Sequence, residues 1–80
     1  MPAITRNVIN ETSFAMAYGD AVAKTLDAIT LIGSSRKDRL DSARERLHDA
    51  AIWASMPEER ILINTLDAAL KRFELGGMNV

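Results

Sequence analysis

The chain has 80 residues, with 10 Lys and Arg against 11 Asp and Glu, so its formal charge is −1. A nearly neutral chain lacks the basic field of a duplex-DNA binder, and the absence of cysteine excludes disulfides, thiolate metal sites and cysteine nucleophiles. Hydrophobic residues make up 48% and charged residues 26% of the chain, which indicates a single globular domain over residues 1–80.

The first predicted helix covers residues 10–32, and residues 1–9 before it are predicted to be an arm or an added turn. Apolar residues spaced by three or four mark one helix face, namely Ala15, Tyr18, Val22, Leu26 and Ile29. A second set widens that face: Phe14, Ala17, Ala21, Ala28 and Leu31. Small residues crowd the middle and would allow another helix to approach closely. Gly33 predicts the end of this helix, because glycine enters the left-handed conformation without Cβ strain.

The second helix is predicted to begin at Arg36, because Ser35 and Asp38 have the spacing of a capping box. Its predicted buried stripe is Leu40, Ala43, Leu47, Ala50 and Ala54. A second capping box, Ser55 with Glu58, places a break at the Ser-Met-Pro sequence, with Pro57 in the first turn of the next helix.

The third helix is predicted to end at Gly76–Gly77, which leaves residues 76–80 as a tail. One face carries Leu62, Leu66, Ala69 and Phe73, flanked by Ile61, Ile63 and Leu70. The fold class is therefore all-α, with three helices and no strands.

Three consecutive apolar residues, Ile61 to Ile63, spread around about 200° of a helix, so one of them has to face something other than a single internal partner. A homo-oligomer would provide that contact, and so would the N-terminal arm. Self-association is the usual support of small domains without disulfides or metals. The predicted interface residues are Trp53, Ile61, Ile63, Leu66 and Phe73.

Enzymatic motifs are nearly absent, so no catalytic residue, cofactor or metal ligand is predicted. His48 is the one imidazole of the chain and has no nucleophile placed near it in the sequence, which predicts a surface or interface residue. No phosphate-binding or dinucleotide glycine pattern occurs. No run approaches the roughly 20 apolar residues of a membrane span, and a cytoplasmic protein without a membrane partner is expected.

The densest functional signal is basic and lies at the predicted start of the second helix. Arg36, Lys37 and Arg39 could bind a phosphate or carboxylate there, because free N–H groups and the helix dipole favour anions. The alternative is an ordinary solvated face, since Asp38 and Asp41 are interleaved with the cations. A further set of candidate ligand residues lies on the first helix: Tyr18, Lys24 and Thr25.

The stretch from Arg39 to Trp53 resembles a motif of small helical phage proteins that sequester the cyclic oligonucleotides of the CBASS defence system. The matching residues are Arg39, Ala43, Leu47, Ala50 and Trp53. The resemblance implies an oligomeric sponge for a cyclic nucleotide, and in that family a long helix before the motif carries aromatic and Lys–Thr ligand positions similar to Tyr18, Lys24 and Thr25.

Three functions stay open from the sequence, none of them enzymatic. The first is stoichiometric sequestration of an anionic small ligand by a phage-type antagonist of host defence or regulation. The second is inhibition of a host protein, as by an anti-CRISPR or a quorum-sensing anti-activator, with apolar and aromatic anchors. The third is an assembly adaptor that binds no ligand.

Overall fold

The computed structural model describes the backbone of residues 8–79 and the side chains of residues 10–74, where three α-helices follow one another. Helix α1 covers Val8–Ile29, α2 covers Gly33–Trp53 and α3 covers Pro57–Asn79. The all-α prediction is therefore confirmed, and no strand occurs within the described residues. Most of the predicted arm, residues 1–7, lies outside the described residues, and the last two residues assigned to it belong to α1.

The turn between α1 and α2 is short and depends on one glycine. Helix α1 ends at Ile29, three residues earlier than predicted, and its last turn is closed by hydrogen bonds of 3.2 Å from the Thr30 and Leu31 amides. Gly33 has a φ of 64°, the left-handed conformation expected of it. The same glycine is also the first residue of α2, whose N-cap residue Ile32 makes no side-chain capping bond. The predicted capping box at Ser35 was wrong, because the helix begins before it.

The corner between α2 and α3 is capped by an acidic side chain. Glu59 Oε1 accepts hydrogen bonds from the amides of Ser55, at 2.9 Å, and Met56, at 3.1 Å. The prediction assigned this capping role to Glu58. With Pro57 as the first helical residue, the third position belongs to Glu59, and the acid of a capping box has to occupy that position to reach back. The prediction of Pro57 in the first turn is confirmed.

Helix α3 continues further than the sequence indicated. It passes through both Gly76 and Gly77 and ends at Asn79, so the predicted stop at the glycine pair was wrong. Two acidic residues in its first turn, Glu58 and Glu59, compensate the positive end of the helix dipole.

The core forms mainly between α1 and α2, which run antiparallel as a close hairpin. Phe14 and Ala17 of α1 pack with Ala50 and Ala54 at one end. Towards the other end a second cluster contains Ala21, Ala28, Leu40, Ala43 and Leu47, joined from α3 by Leu66 and Leu70. The many buried alanines allow the α1 and α2 backbones to approach each other closely, while α3 covers the hairpin with longer side chains.

The predicted stripe of α2 is confirmed at all five positions, but that of α1 was wrong. Of its members, Ala15, Leu26 and Ile29 are exposed, and Tyr18 and Val22 lie at the edge of the core. The set expected only to widen the face is mostly the one that packs. Phe14, Ala17, Ala21 and Ala28 are all buried, whereas Leu31 is half-buried and lies beyond the end of α1.

Candidate functional site

The three cations at the start of α2 point in three directions. The guanidinium of Arg36 lies over the ring of Phe73 on α3, 5.0 Å from its centroid. Lys37 Nζ lies 3.1 Å from Asp41 on its own helix, and Arg39 Nε lies 4.0 Å from Asp27 on α1. Each cation therefore contacts a different element of the protein, although the buried Nε of Arg36 has no hydrogen-bond partner among the described residues. The structure does not gather the three cations around a common anion.

The candidate ligand residues of α1 also have structural partners. The Tyr18 ring stacks on Phe14 with centroids 5.5 Å apart, and its hydroxyl donates a long 3.4 Å hydrogen bond to the Leu62 carbonyl. The buried Thr25 hydroxyl donates to the Ala21 carbonyl at 2.8 Å. Lys24 Nζ donates to Asp20 at 2.8 Å. These contacts tie α1 together and join it to α3.

A network of charged side chains around Asp20 links α1 to α2. Its carboxylate accepts hydrogen bonds of 2.8 Å from both Lys24 and Arg46, and Arg46 also donates to Asp49 at 2.9 Å. The Lys24 hydrogen bond lowers the pKa of Asp20 most, and Arg46 adds to the lowering, while partial removal from water opposes both. The hydrogen bond from Arg46 to Asp20 raises the pKa of Arg46 most, and the hydrogen bond to Asp49 adds to this.

A second ion pair fastens α2 to α3. Arg44 Nη1 donates to Glu74 Oε2 at 2.7 Å, and this hydrogen bond lowers the pKa of Glu74 and raises that of Arg44. Because both side chains remain about two-fifths exposed, the pair contributes well under about 1 kcal/mol.

These lowered carboxyl pKa values predict a loss of stability in acid. A carboxyl whose folded pKa lies below its unfolded value stabilises the protein above the unfolded value, near pH 4, and this stabilisation is lost as the pH falls through the folded value. Urea unfolding followed from about pH 6 down to about pH 3 is expected to show a falling free energy of unfolding below about pH 4.5. The Glu74→Gln variant is expected to flatten this fall, whereas the exposed Glu45→Gln is not. Equal slopes in the two variants would contradict the role given to Glu74.

Among the described residues, two surface depressions lie near predicted site residues. One, of about 390 Å³, contains Arg39 with Ser35 and Ser42, but the Asp38 carboxylate is also in its wall and opposes an anion. The other, of about 790 Å³, is an open groove along α3 beside Arg72 and Phe73. Neither combines the predicted ligand residues of α1 with those of α2.

The predicted interface residues divide into buried and exposed members. Leu66 is buried, and Ile63 and Phe73 pack against the core, so these three serve the protomer itself. Ile61 and Trp53 are exposed. Of the three consecutive apolar residues of α3, Ile63 therefore faces inwards, whereas Ile61 and Leu62 face outwards.

The α2–α3 corner carries an apolar surface, here called the corner patch and formed by Ile52, Trp53 and Met56. Their exposed fractions are 68%, 38% and 40%. Sequence reasoning identified Trp53 as an anchor but missed Met56, which belongs to the corner rather than to a helix stripe. His48 is exposed, as predicted.

Within residues 8–79, no helix combines the length and the apolar character that crossing a membrane requires. Among the described side chains, no group of three or more His, Asp or Glu residues is placed to hold a metal ion.

Comparison of the chain with protein-family models, curated proteins and solved structures finds no significant match. The resemblance to phage sponges therefore stays a prediction.

Proposed function

We propose that the chain is a non-enzymatic binding protein that acts by stoichiometric docking to a protein partner through the corner patch. The observation that supports this most is the position of Trp53. The one tryptophan of the chain is exposed, as are Ile52, its neighbour in the sequence, and Met56 at the same corner, while the core is made largely of alanine and leucine. Tryptophan and methionine are enriched at protein interfaces, and tryptophan is a frequent hot-spot residue.

The charged residues favour a protein partner over an anionic small ligand. Arg36, Lys37 and Arg39 each contact a different internal partner, and Lys24 pairs with Asp20. A ligand would have to displace these contacts before binding the cations. An apolar patch needs no such rearrangement, since water is all that leaves it.

The biological role that we propose is antagonism of host defence or host regulation by a small phage-type protein in the cytoplasm. A small helical domain with an exposed apolar patch suits stoichiometric inhibition. An anti-CRISPR, a quorum-sensing anti-activator and an assembly adaptor would all dock in this way, and the identity of the captured protein distinguishes them.

The test compares proteins captured from cells by the tagged full chain and by the variant Ile52→Ser/Trp53→Ala. We expect one protein, recovered in near-equimolar amount with the unsubstituted chain, to fall by at least about tenfold with the variant, because the anchor side chains are removed. The control variant Glu45→Ala/His48→Ala changes two exposed polar residues of α2 and is expected to retain the captured protein.

Circular dichroism of each variant first establishes that its helices are retained. Equal capture by the corner variant would contradict the proposal. So would native mass spectrometry that shows an adduct of nucleotide mass lost in Arg36→Ala/Lys37→Ala, because that result supports ligand sequestration.

A further inference from the structure

Helix α1 has an apolar surface on the side that α2 does not cover. This α1 outer face consists of Ala15, Met16, Gly19, Ala23 and Leu26, all of them exposed. Met16 is 66% and Leu26 is 58% exposed, and, apart from the chain neighbours of Gly19 and its own helix backbone, no atom lies within 4 Å of the position that a Cβ would take on Gly19. We propose that a second copy of the chain binds this face, so that two α1 helices pair antiparallel about a two-fold axis.

The order of residues along the face argues for a second copy. The positions Thr12, Met16, Gly19, Ala23, Leu26 and Thr30 are separated by 4, 3, 4, 3 and 4 residues, a spacing that reads the same in both directions. A two-fold interface requires such self-complementarity, since each position meets its counterpart on an identical surface.

The sizes of the side chains follow the same symmetry. An axis midway between Gly19 and Ala23 places Gly19 against Ala23 of the second copy and Met16 against Leu26 of the second copy. Small residues then meet at the centre, where the backbones approach most closely, and large aliphatic residues close both ends. Spacings of three and four residues are those of a coiled-coil seam. In an antiparallel pair with this register, each seam residue of one copy faces a seam residue of the other copy.

The seam is long enough to be specific, and its borders are apolar or neutralised. From Thr12 to Thr30, which lies one residue beyond the end of α1, it extends about 27 Å at 1.5 Å per residue. On one border the charges are paired within the protomer, as Asp20 is with Lys24 and Arg46. On the other border lie exposed Ile29 and, on α3, Leu62, whose carbonyl accepts the Tyr18 hydrogen bond. These two residues widen the apolar contact beyond the seam itself.

The composition of the core gives the pairing a physical role. Among the described residues, Leu70 is the one large side chain that is fully buried, and most other fully buried positions are alanine. Such a core removes little apolar area from water, and a small domain commonly compensates by self-association. The corner patch lies at the α2–α3 corner, so pairing through α1 does not depend on the proposed docking of a protein partner.

The first test is the oligomeric state of the full chain, measured by sedimentation velocity across a wide concentration series. We expect a dimer, and we expect Gly19→Leu to raise its dissociation constant by at least about 30-fold, because a large side chain separates the paired helices. Since the space over Gly19 is open and leucine has the higher helix propensity, circular dichroism of the Gly19→Leu monomer is expected to show retained helix. The control Ala68→Leu lies on the exposed side of α3 and is expected to leave the dimer intact.

The second test examines the direction of pairing. The chain contains no cysteine, so Met16→Cys and Leu26→Cys each introduce a single thiol. When the two variants are mixed and oxidised, we expect more disulfides between a Met16→Cys chain and a Leu26→Cys chain than between two chains of the same variant. Selective self-linkage of Met16→Cys would overturn the antiparallel register. A chain that stays monomeric at every concentration, or an oligomer that survives Gly19→Leu, would overturn the proposal.

Discussion

The Leu70→Ala variant is expected to lower the free energy of unfolding by about 3 kcal/mol. Leu70 is fully buried in the cluster that joins α3 to the α1–α2 hairpin. Its truncation removes apolar contacts and leaves a cavity that neighbouring helices fill only in part. Because a domain of this size has a total stability on the order of 5 kcal/mol, the variant is expected to lie close to its unfolding threshold. Urea unfolding followed by circular dichroism measures the change.

The control for this prediction is Leu62→Ala on the same helix. Leu62 is 43% exposed, and its interaction with Tyr18 uses the backbone carbonyl, which the substitution retains. We therefore expect a loss below about 1 kcal/mol. A loss as large as that of Leu70→Ala would mean that α3 is held through its outer side and not through the core cluster. Both variants are compared at one protein concentration, since Leu62 also borders the proposed dimer seam.

The Ala43→Leu variant is expected to destabilise the protein by about 2–3 kcal/mol, for the opposite reason. Ala43 is fully buried in the cluster that also contains Ala21 and Ala28 of α1. A side chain with three more carbon atoms has no space at this close approach. Either α2 would have to move away from α1, or the new side chain would have to adopt a strained rotamer. Thermal and urea unfolding are expected to show the loss, together with weaker protection of the α1 and α2 amides from hydrogen exchange.

The matched substitution Ala68→Leu adds the same atoms at an exposed position of α3. It is expected to change the free energy of unfolding by no more than about 0.5 kcal/mol. If Ala43→Leu were tolerated equally well, the buried alanines would not determine the distance between α1 and α2.

The candidate site shows where residue pattern alone is insufficient. The basic residues at the start of α2 are adjacent in the sequence, and their clustering predicted an anion site. A helix turns by about 100° per residue, so Arg36, Lys37 and Arg39 leave it in different directions and meet partners on α3, α2 and α1 respectively. Of the predicted interface residues, Trp53 and Ile61 could be identified as exposed only after the packing of α3 was known.

Several features of the fold follow from local chemistry and can be predicted from the residues alone. Three helices, a turn at a left-handed Gly33, a third helix with Pro57 in its first turn and the buried stripe of α2 are all predicted correctly. In α2 the charged residues leave a single apolar stripe, so only one side of that helix can be buried.

Which side of α1 is buried depends on its packing against the other helices. The apolar and small residues of α1 cover more than half of its circumference, so two or more orientations would each bury a plausible stripe. The choice depends on the shape of the neighbour: the alanines of α2 admit a close approach by Ala17 and Ala21, which leaves Gly19 and Ala23 on the outside. Periodicity along one helix contains no information about the shape of another, and packing free energy between the two selects the orientation.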